Sequence, residues 1–416
     1  MTSHPTSPPQ ADQAVRPSAV PLYVGGGALS MLGNASIGIV LPWLVIATTG
    51  DLSTTALVAT AAGIAAVPAS LLGGRLADRF GARRVAVAAD LGSALAVAGL
   101  AVVDATVGLT VGWFVALGVL GALFDVPGMS ARQALLADVA RVGGRRVDVV
   151  ASAYQTAFSL SFLVGPAMAG LLLAHLDPVD VVWVTAACSA TAGLLTWCVP
   201  VANPSVAGAD PLPGGGWGAL RRDPRLGATL VIAFAATFVT APLLSVVLPG
   251  HFADLGEPGS YGATVSAFAV GTIVGSILFA VLSRRSRLLA YVVGIGAMTT
   301  GMVGIAGLGG VLVVGGAMAV MGVGSGLYGP VWNVFVAEQV PSEVRARVLG
   351  VINALALVAG PLGLGALTLL LTVADLGVAA VATAAVWVCV GVFAILNPHA
   401  RAVAGDGQDG EHADDR

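Results

Sequence analysis

Between Gly74 and Arg84 the chain gathers Arg75, Asp78, Arg79, Arg83 and Arg84 into eleven residues. Arginine does not lose its proton in a protein, so the chemistry open to this cluster is that of fixed positive charge. It can anchor the chain at a surface or pair with an acid elsewhere. Asp78 is the odd member, because plain anchoring explains the arginines and not the acid. Two further acids stand out. Asp90 comes six residues after Arg84, about 9 Å further along a helix, and Asp125 precedes Val126-Pro127. A carboxyl group held in apolar surroundings is a functional candidate by default, and Asp90 and Asp125 are both candidate proton carriers. For Asp90 a second reading is open and is preferred here: a structural pair with an arginine of the cluster.

These charges are set among long apolar runs. Runs of spanning length fall at about 21–47, 54–73, 85–103, 107–128, 149–174, 180–200, 226–248, 260–282, 288–307, 311–334, 348–372 and 377–396. Twelve membrane helices are expected. Composition agrees: the 416 residues are 57% hydrophobic and 10% charged, more apolar surface than a water-soluble protein can hide. All 19 basic residues are arginine. Without lysine there is no phosphate-binding loop of the G-x-x-x-x-G-K type and no Schiff-base chemistry. A net charge of -3 argues against a nucleic-acid partner. Cys188, Cys198 and Cys389 lie in apolar runs without metal-ligand spacing, so neither a metal nor a redox centre is expected.

The arginines also orient the chain. With both ends on one side, every one of them falls on the side of the tails, while the opposite loops carry acids such as Asp51, Asp104, Asp177, Asp254 and Asp375. Positive loops stay inside, so both termini are expected in the cytoplasm, with the protein in the cell membrane. From its Pro- and Ser-rich start no cleavable signal is expected.

The sequence repeats internally. Residues 160–173 match 355–368, with Gly165-Pro166 on Gly360-Pro361, and 124–127 match 327–330. The opening cluster maps onto Gly275–Arg285, where Asp78 meets Phe279. A six-helix unit has been duplicated and its second copy has lost the acid. The expected organisation is a disordered tail (1–19), a six-helix bundle (20–200), a cytoplasmic linker with a short surface helix (201–225), a second bundle (226–397) and a disordered acidic tail (398–416).

Over about residues 20–397 the chain resembles the major facilitator superfamily. Gly74–Arg84 matches that superfamily's signature between helices two and three, with Ala82 where a basic residue is usual. Leu32-Gly33-Asn34, Leu41-Pro42-Trp43, Ala89-Asp90-Leu91, Phe124-Asp125-Val126-Pro127 and Ala131-Arg132-Gln133 look most like the drug:proton antiporter branch that includes macrolide efflux proteins. The resemblance implies an all-helical fold of two six-helix pseudo-repeats around a central cavity. It implies that Asp78 meets the N-terminus of helix eleven, near Pro341 to Glu343, where partial positive charge favours an anion. Arg79 would pair with Asp125 at the cytoplasmic end of helix four. Gly74, Asp78, Arg79, Gly81, Arg83, Arg84 and Asp125 would then latch the halves on the cytoplasmic side and stabilise the outward-open state. Related antiporters carry a proton-coupling arginine in helix four, and the run 107–128 has none. Gly165, Pro166 and Gly170 resemble the exporters' helix-five motif without its final paired glycines, and with Gly360 and Pro361 they form a kink device in both halves.

Cavity candidates are Asn34, Trp113, Tyr154, Gln155, Phe234, Phe238, Tyr328, Trp332, Asn333 and Asn353. Aromatics and amides without fixed charge suit a bulky apolar solute. The expectation is a monomeric secondary transporter exporting a hydrophobic small molecule, drug or natural product, by alternating access. The proton gradient would drive it, with no cofactor and with membrane lipid as surroundings. A facilitator or importer of another metabolite is the nearest alternative. A membrane-embedded enzyme is remote, because His4, His175, His251, His399 and His412 all fall in tails or extramembrane loops.

Overall fold

The computed structural model describes residues 15–201, 223–340 and 342–405. Twelve helices among them are long and apolar enough to cross a membrane. In the first half these are α1 (Ala19–Thr49), α2 (Leu52–Phe80), α3 (Ala82–Thr106), α4 (Val111–Val142), α5 (Val147–Leu173) and α6 (Pro178–Trp197). The second half has α7 (Pro224–Leu255), α8 (Pro258–Leu282), α9 (Arg287–Ala306), α10 (Val311–Gln339), α11 (Ser342–Leu371) and α12 (Leu376–Leu396). Crossing in turn, they leave both ends of the chain on one side, here the tail side; the other is the far side. In α7 a π-helical turn, Leu243–Val247, follows Pro242, which cannot donate to the regular ladder.

Two of the far-side acids cap helices. Asp51 accepts from the backbone N–H of Ser53 and of Thr54, both at 3.0 Å, and so caps α2. Asp375 accepts from Val378 N–H at 2.9 Å and caps α12. Hydrogen bonds from the Thr54 hydroxyl, then that of Ser53, hold the Asp51 carboxyl below its ordinary range.

Three expectations are corrected. The cluster at 74–84 is not a loop. Gly74–Phe80 are the last turns of α2, α3 starts at Ala82, and Gly81 alone turns the chain at φ 88, a conformation open to glycine. Helix four does not stop near 128 but continues to Val142, because no helix breaker intervenes before Gly143-Gly144. Residues 398–404 are not a disordered tail. Asn397 caps a short helix, α13 (Pro398–Arg401), a 3-10 turn follows at Ala402–Ala404, and Ala400, Val403 and Ala404 are buried. The start of the chain is tied as well: Arg16 N–H donates to Val142 O at 2.8 Å. The surface helix expected in the linker lies outside the described residues.

Burial explains how the halves meet. The largest apolar cluster joins both halves toward the far side, gathering Val45, Val58, Phe114 and Leu173 of the first half with Leu248, Phe252, Tyr261 and Leu367 of the second. Two other clusters lie toward the tail side, and each belongs to one half: Tyr23, Val85, Leu135 and Val150 in the first, Leu226, Tyr291, Val331 and Val348 in the second. The halves are therefore sealed together on the far side, and their tail-side cores are separate.

The two Gly-Pro steps sit at matching places in this arrangement. A Cβ on Gly165 would lie 2.7 Å from Ala35 Cβ on α1, whereas the Pro166 carbonyl would lie 2.2 Å from a Cβ on Gly262 of α8. In the second half Gly360 faces Ala241 of α7, and the Pro361 ring presses on Gly63 of α2. Each glycine meets the first helix of its own half and each proline the second helix of the other. Gly170 joins the same seam against Gly262. Ser266 Oγ closes it by donating to Leu163 O at 2.8 Å.

Candidate substrate cavity and ion pair

Helices α3 and α4 pack antiparallel and closely, because small residues remove the side chains that would hold them apart. Gly92 faces the Phe124 ring, and a Cβ on Gly128 would fall 2.7 Å from that of Ala89. This register places Asp90 opposite Arg132 and Ser93 opposite Asp125.

Asp90 and Arg132 form a buried ion pair, with side chains 5% and 4% exposed. Asp90 also accepts from Ser30 Oγ of α1 at 2.9 Å. The Arg132 carbonyl accepts from Tyr23 Oη at 2.9 Å, and Tyr23 stacks on Tyr154 of α5 at 5.2 Å. Four helices thus converge on one pair, whose satisfied hydrogen bonds offset the cost of taking both charges out of water. The preferred reading of Asp90 as a paired acid holds, but its partner comes from α4 and not from the 74–84 cluster. Arg132 stands in the sequence only as part of the Ala131-Arg132-Gln133 motif, with nothing there to mark it as the partner of Asp90. Helix four does carry an arginine, and the uninterrupted stretch from Gly128 to Val142 was the signal for it.

Asp125 lies two helical turns from Arg132 on nearly the same face of α4. It lines a cavity of about 270 Å3 inside the bundle, together with Asn34, Leu41 and Pro42 of α1, Val58 of α2, and Ser93 and Leu100 of α3. The second half contributes Ser245 and Leu364. Ser93 is its hydrogen-bonding neighbour. No arginine lines this cavity, and Asp125 forms no ion pair among the described residues. The expected Arg79–Asp125 contact is therefore absent. Gly73 of α2 packs against Pro127 and Ser130, so Arg79, six residues further toward the tail side, lies well past the level of Asp125. The Arg79 guanidinium sits over the neighbouring Phe80 ring at 5.3 Å. Arg83 donates to Val199 O at 2.9 Å and lies over Trp197. Asp78 is exposed and has no hydrogen bond or ion pair among the described residues.

Of the nine cavity candidates whose side chains are described, Asn34 alone lines this space. Trp113 is 42% exposed in the first turn of α4, away from the cavity. Tyr154 packs beside the ion pair, and Gln155 is exposed. Phe234 and Phe238 stack on each other at 6.1 Å along α7. Tyr328 and Trp332 pack into the tail-side core of the second half, and Asn333 is exposed. The side chain of Asn353 lies outside the described residues, as do those of 342–347, where Asp78 was expected to find helix eleven. His251 is not in a loop but buried in α7, its Nε2 2.9 Å from Gly309 O. Polar and aromatic character does not mark the residues of this cavity, whose walls are mainly Leu, Val, Ile, Ala and Gly.

The family profile described as Major Facilitator Superfamily matches residues 23–364. The multidrug efflux pump Tap of Mycolicibacterium fortuitum is 33% identical over 346 residues, covering 80% of this chain and 84% of that protein. The multidrug efflux pump Tap of Mycobacterium tuberculosis (strain H37Rv) is 30% identical over 387 residues, covering 90% and 92%. Among solved structures, the nucleoside transporter NupG superposes with a TM-score of 0.72 at 16% identity, over 90% of this chain and 98% of that one. The inward-open xylose transporter XylE from E. coli gives 0.66 at 16% identity, over 91% and 94%.

Proposed function

We propose, for a chain that belongs to the major facilitator superfamily, that it exports a hydrophobic small molecule, drug or natural product, in exchange for protons. The observation that carries this reading is Asp125. A carboxyl group in a largely apolar chamber is stable when it holds a proton or faces a cation, and costly when it does neither. A proton entering from outside and a solute leaving the cytoplasm would then compete for one chamber, which is the elementary requirement of antiport. The names of the relatives as multidrug efflux pumps support the same reading.

With both termini in the cytoplasm of a cell-membrane protein, the far-side seal corresponds to the state open to the cytoplasm. Rocking about the Gly-Pro steps would release that seal and bring the tail-side ends together. In that closed state Asp78 would reach the start of α11 and latch the halves; its exposure here is what an open latch requires. Asp125 plays no part in the latch. The transporter works as a monomer, without a cofactor and without catalysing a chemical conversion.

The test is transport in inside-out vesicles. An imposed inward-acid gradient should drive uptake of a hydrophobic dye, and dye entry should in turn release protons from the lumen. Uptake that ignores the gradient would identify a facilitator instead.

A further inference from the structure

A second space lies outside the bundle, where α2 and α3 join at Gly81. It measures about 340 Å3 and is walled by Leu76 and Phe80 of α2, Val85 and Ala89 of α3, and Leu123 and Pro127 of α4. Leu123 and Pro127 are each two residues from Asp125, so they project about 200° away from it, onto the face of α4 turned from the transport cavity. Leu123 and Phe80 are exposed there, to what in a membrane is lipid. The slot exists because α3 offers only alanine at positions 88 and 89, and Ala89 fits against Gly128.

Among the described residues, its one charged lining residue is Arg84. Arg84 is exposed and forms no ion pair among the described residues. It stands in the first turn of α3, at the tail-side edge of the membrane helices, and the slot runs from it five residues up the helix to Ala89, about 7.5 Å. A guanidinium at the membrane edge over an apolar channel is the complement of an amphiphile with an anionic head and a hydrocarbon tail. We infer that this slot holds an acidic phospholipid of the bilayer, its phosphate on Arg84 and an acyl chain between Phe80 and Leu123. The site is separate from the transport cavity, which lies across α4.

The test uses the full chain in nanodiscs of equal phosphatidylglycerol and phosphatidylcholine, followed by native mass spectrometry of the lipid retained after extraction. The wild type should retain phosphatidylglycerol in preference to phosphatidylcholine. Arg84→Ala should lower that preference about fivefold, the effect of one basic side chain on an acidic lipid. Ala88→Phe, which fills the slot and leaves Arg84 in place, should lower retention of both lipids. Arg75→Ala removes an equal charge from outside the slot and should leave the preference intact. Equal retention of the two lipids by the wild type overturns the site. So does a loss in Arg75→Ala matching that in Arg84→Ala, since both would be diffuse surface attraction.

Discussion

Arg132 of α4 and Asp90 of α3 neutralise each other inside the first half, 42 residues apart in the chain and buried together. Removing one partner strands the other. Arg132→Leu should cost about 3–5 kcal/mol of stability, the usual penalty for an orphaned buried charge. The double variant Asp90→Leu/Arg132→Leu should recover much of that loss. Thermal unfolding in detergent measures both, and a double variant no more stable than Arg132→Leu would mean that the pair does not hold α3 to α4.

Asp125 has no such partner among the described residues, and its replacement should separate coupling from passage. Asp125→Asn should reduce gradient-driven dye uptake to the rate seen without a gradient, while counterflow exchange of the dye continues. Proteoliposomes with labelled substrate on both sides give the two rates. Full gradient-driven uptake in this variant would remove Asp125 from the coupling scheme.

The far-side seal depends on backbone touching backbone at Gly262. A Cβ there would fall 2.2 Å from the Pro166 carbonyl, so Gly262→Ala should loosen the seam between α5 and α8. A cysteine at Ser266, across that seam from Leu163, should then react faster with a thiol reagent applied from the far side. Unchanged reactivity in the glycine variant would show that the seam adapts without opening.

The Asp51 cap predicts a pH dependence with a definite sign. Its carboxyl is held below the ordinary range, chiefly by the Thr54 hydroxyl, so its contribution is present above that range and lost as pH falls through the depressed value. Asp51→Ala should therefore cost about 1 kcal/mol at neutral pH, as a lost helix cap does. The gap in unfolding temperature between the two proteins should stay constant down to about pH 5 and shrink below about pH 4. A gap that widens on acidification would contradict the assignment.

Orientation can be read with fusions. Green fluorescent protein at the C-terminus should fluoresce, and alkaline phosphatase placed after Gly108, between α3 and α4, should be active. The reverse pattern would place the arginines outside the cell.

The number and order of the membrane helices were legible because each apolar run is long and bounded by charge or turn residues. Helix ends were not, since polar residues can extend a helix beyond the bilayer as readily as end it. That is why the apolar run ends near 128, short of Arg132, although α4 carries that arginine into the core. The Gly74–Arg84 cluster misled in the same way: its charges marked a membrane boundary, but the chain turns at Gly81 alone. Asp125 was found as a charge out of place, yet its surroundings depended on the register of α3 against α4, which only the glycine contacts fix. Most cavity walls were invisible because an aliphatic side chain facing a void looks like one facing lipid.

The caps at Asp51 and Asp375 lie within single helical turns, and each would form as well if the whole bundle were threaded upside down. Folding free energy from these acids is thus blind to which way up the protein sits. The choice falls to the arginines alone at the moment of insertion. Moving a few of them across the bilayer should yield an inverted protein with the same interior, pumping in the opposite sense.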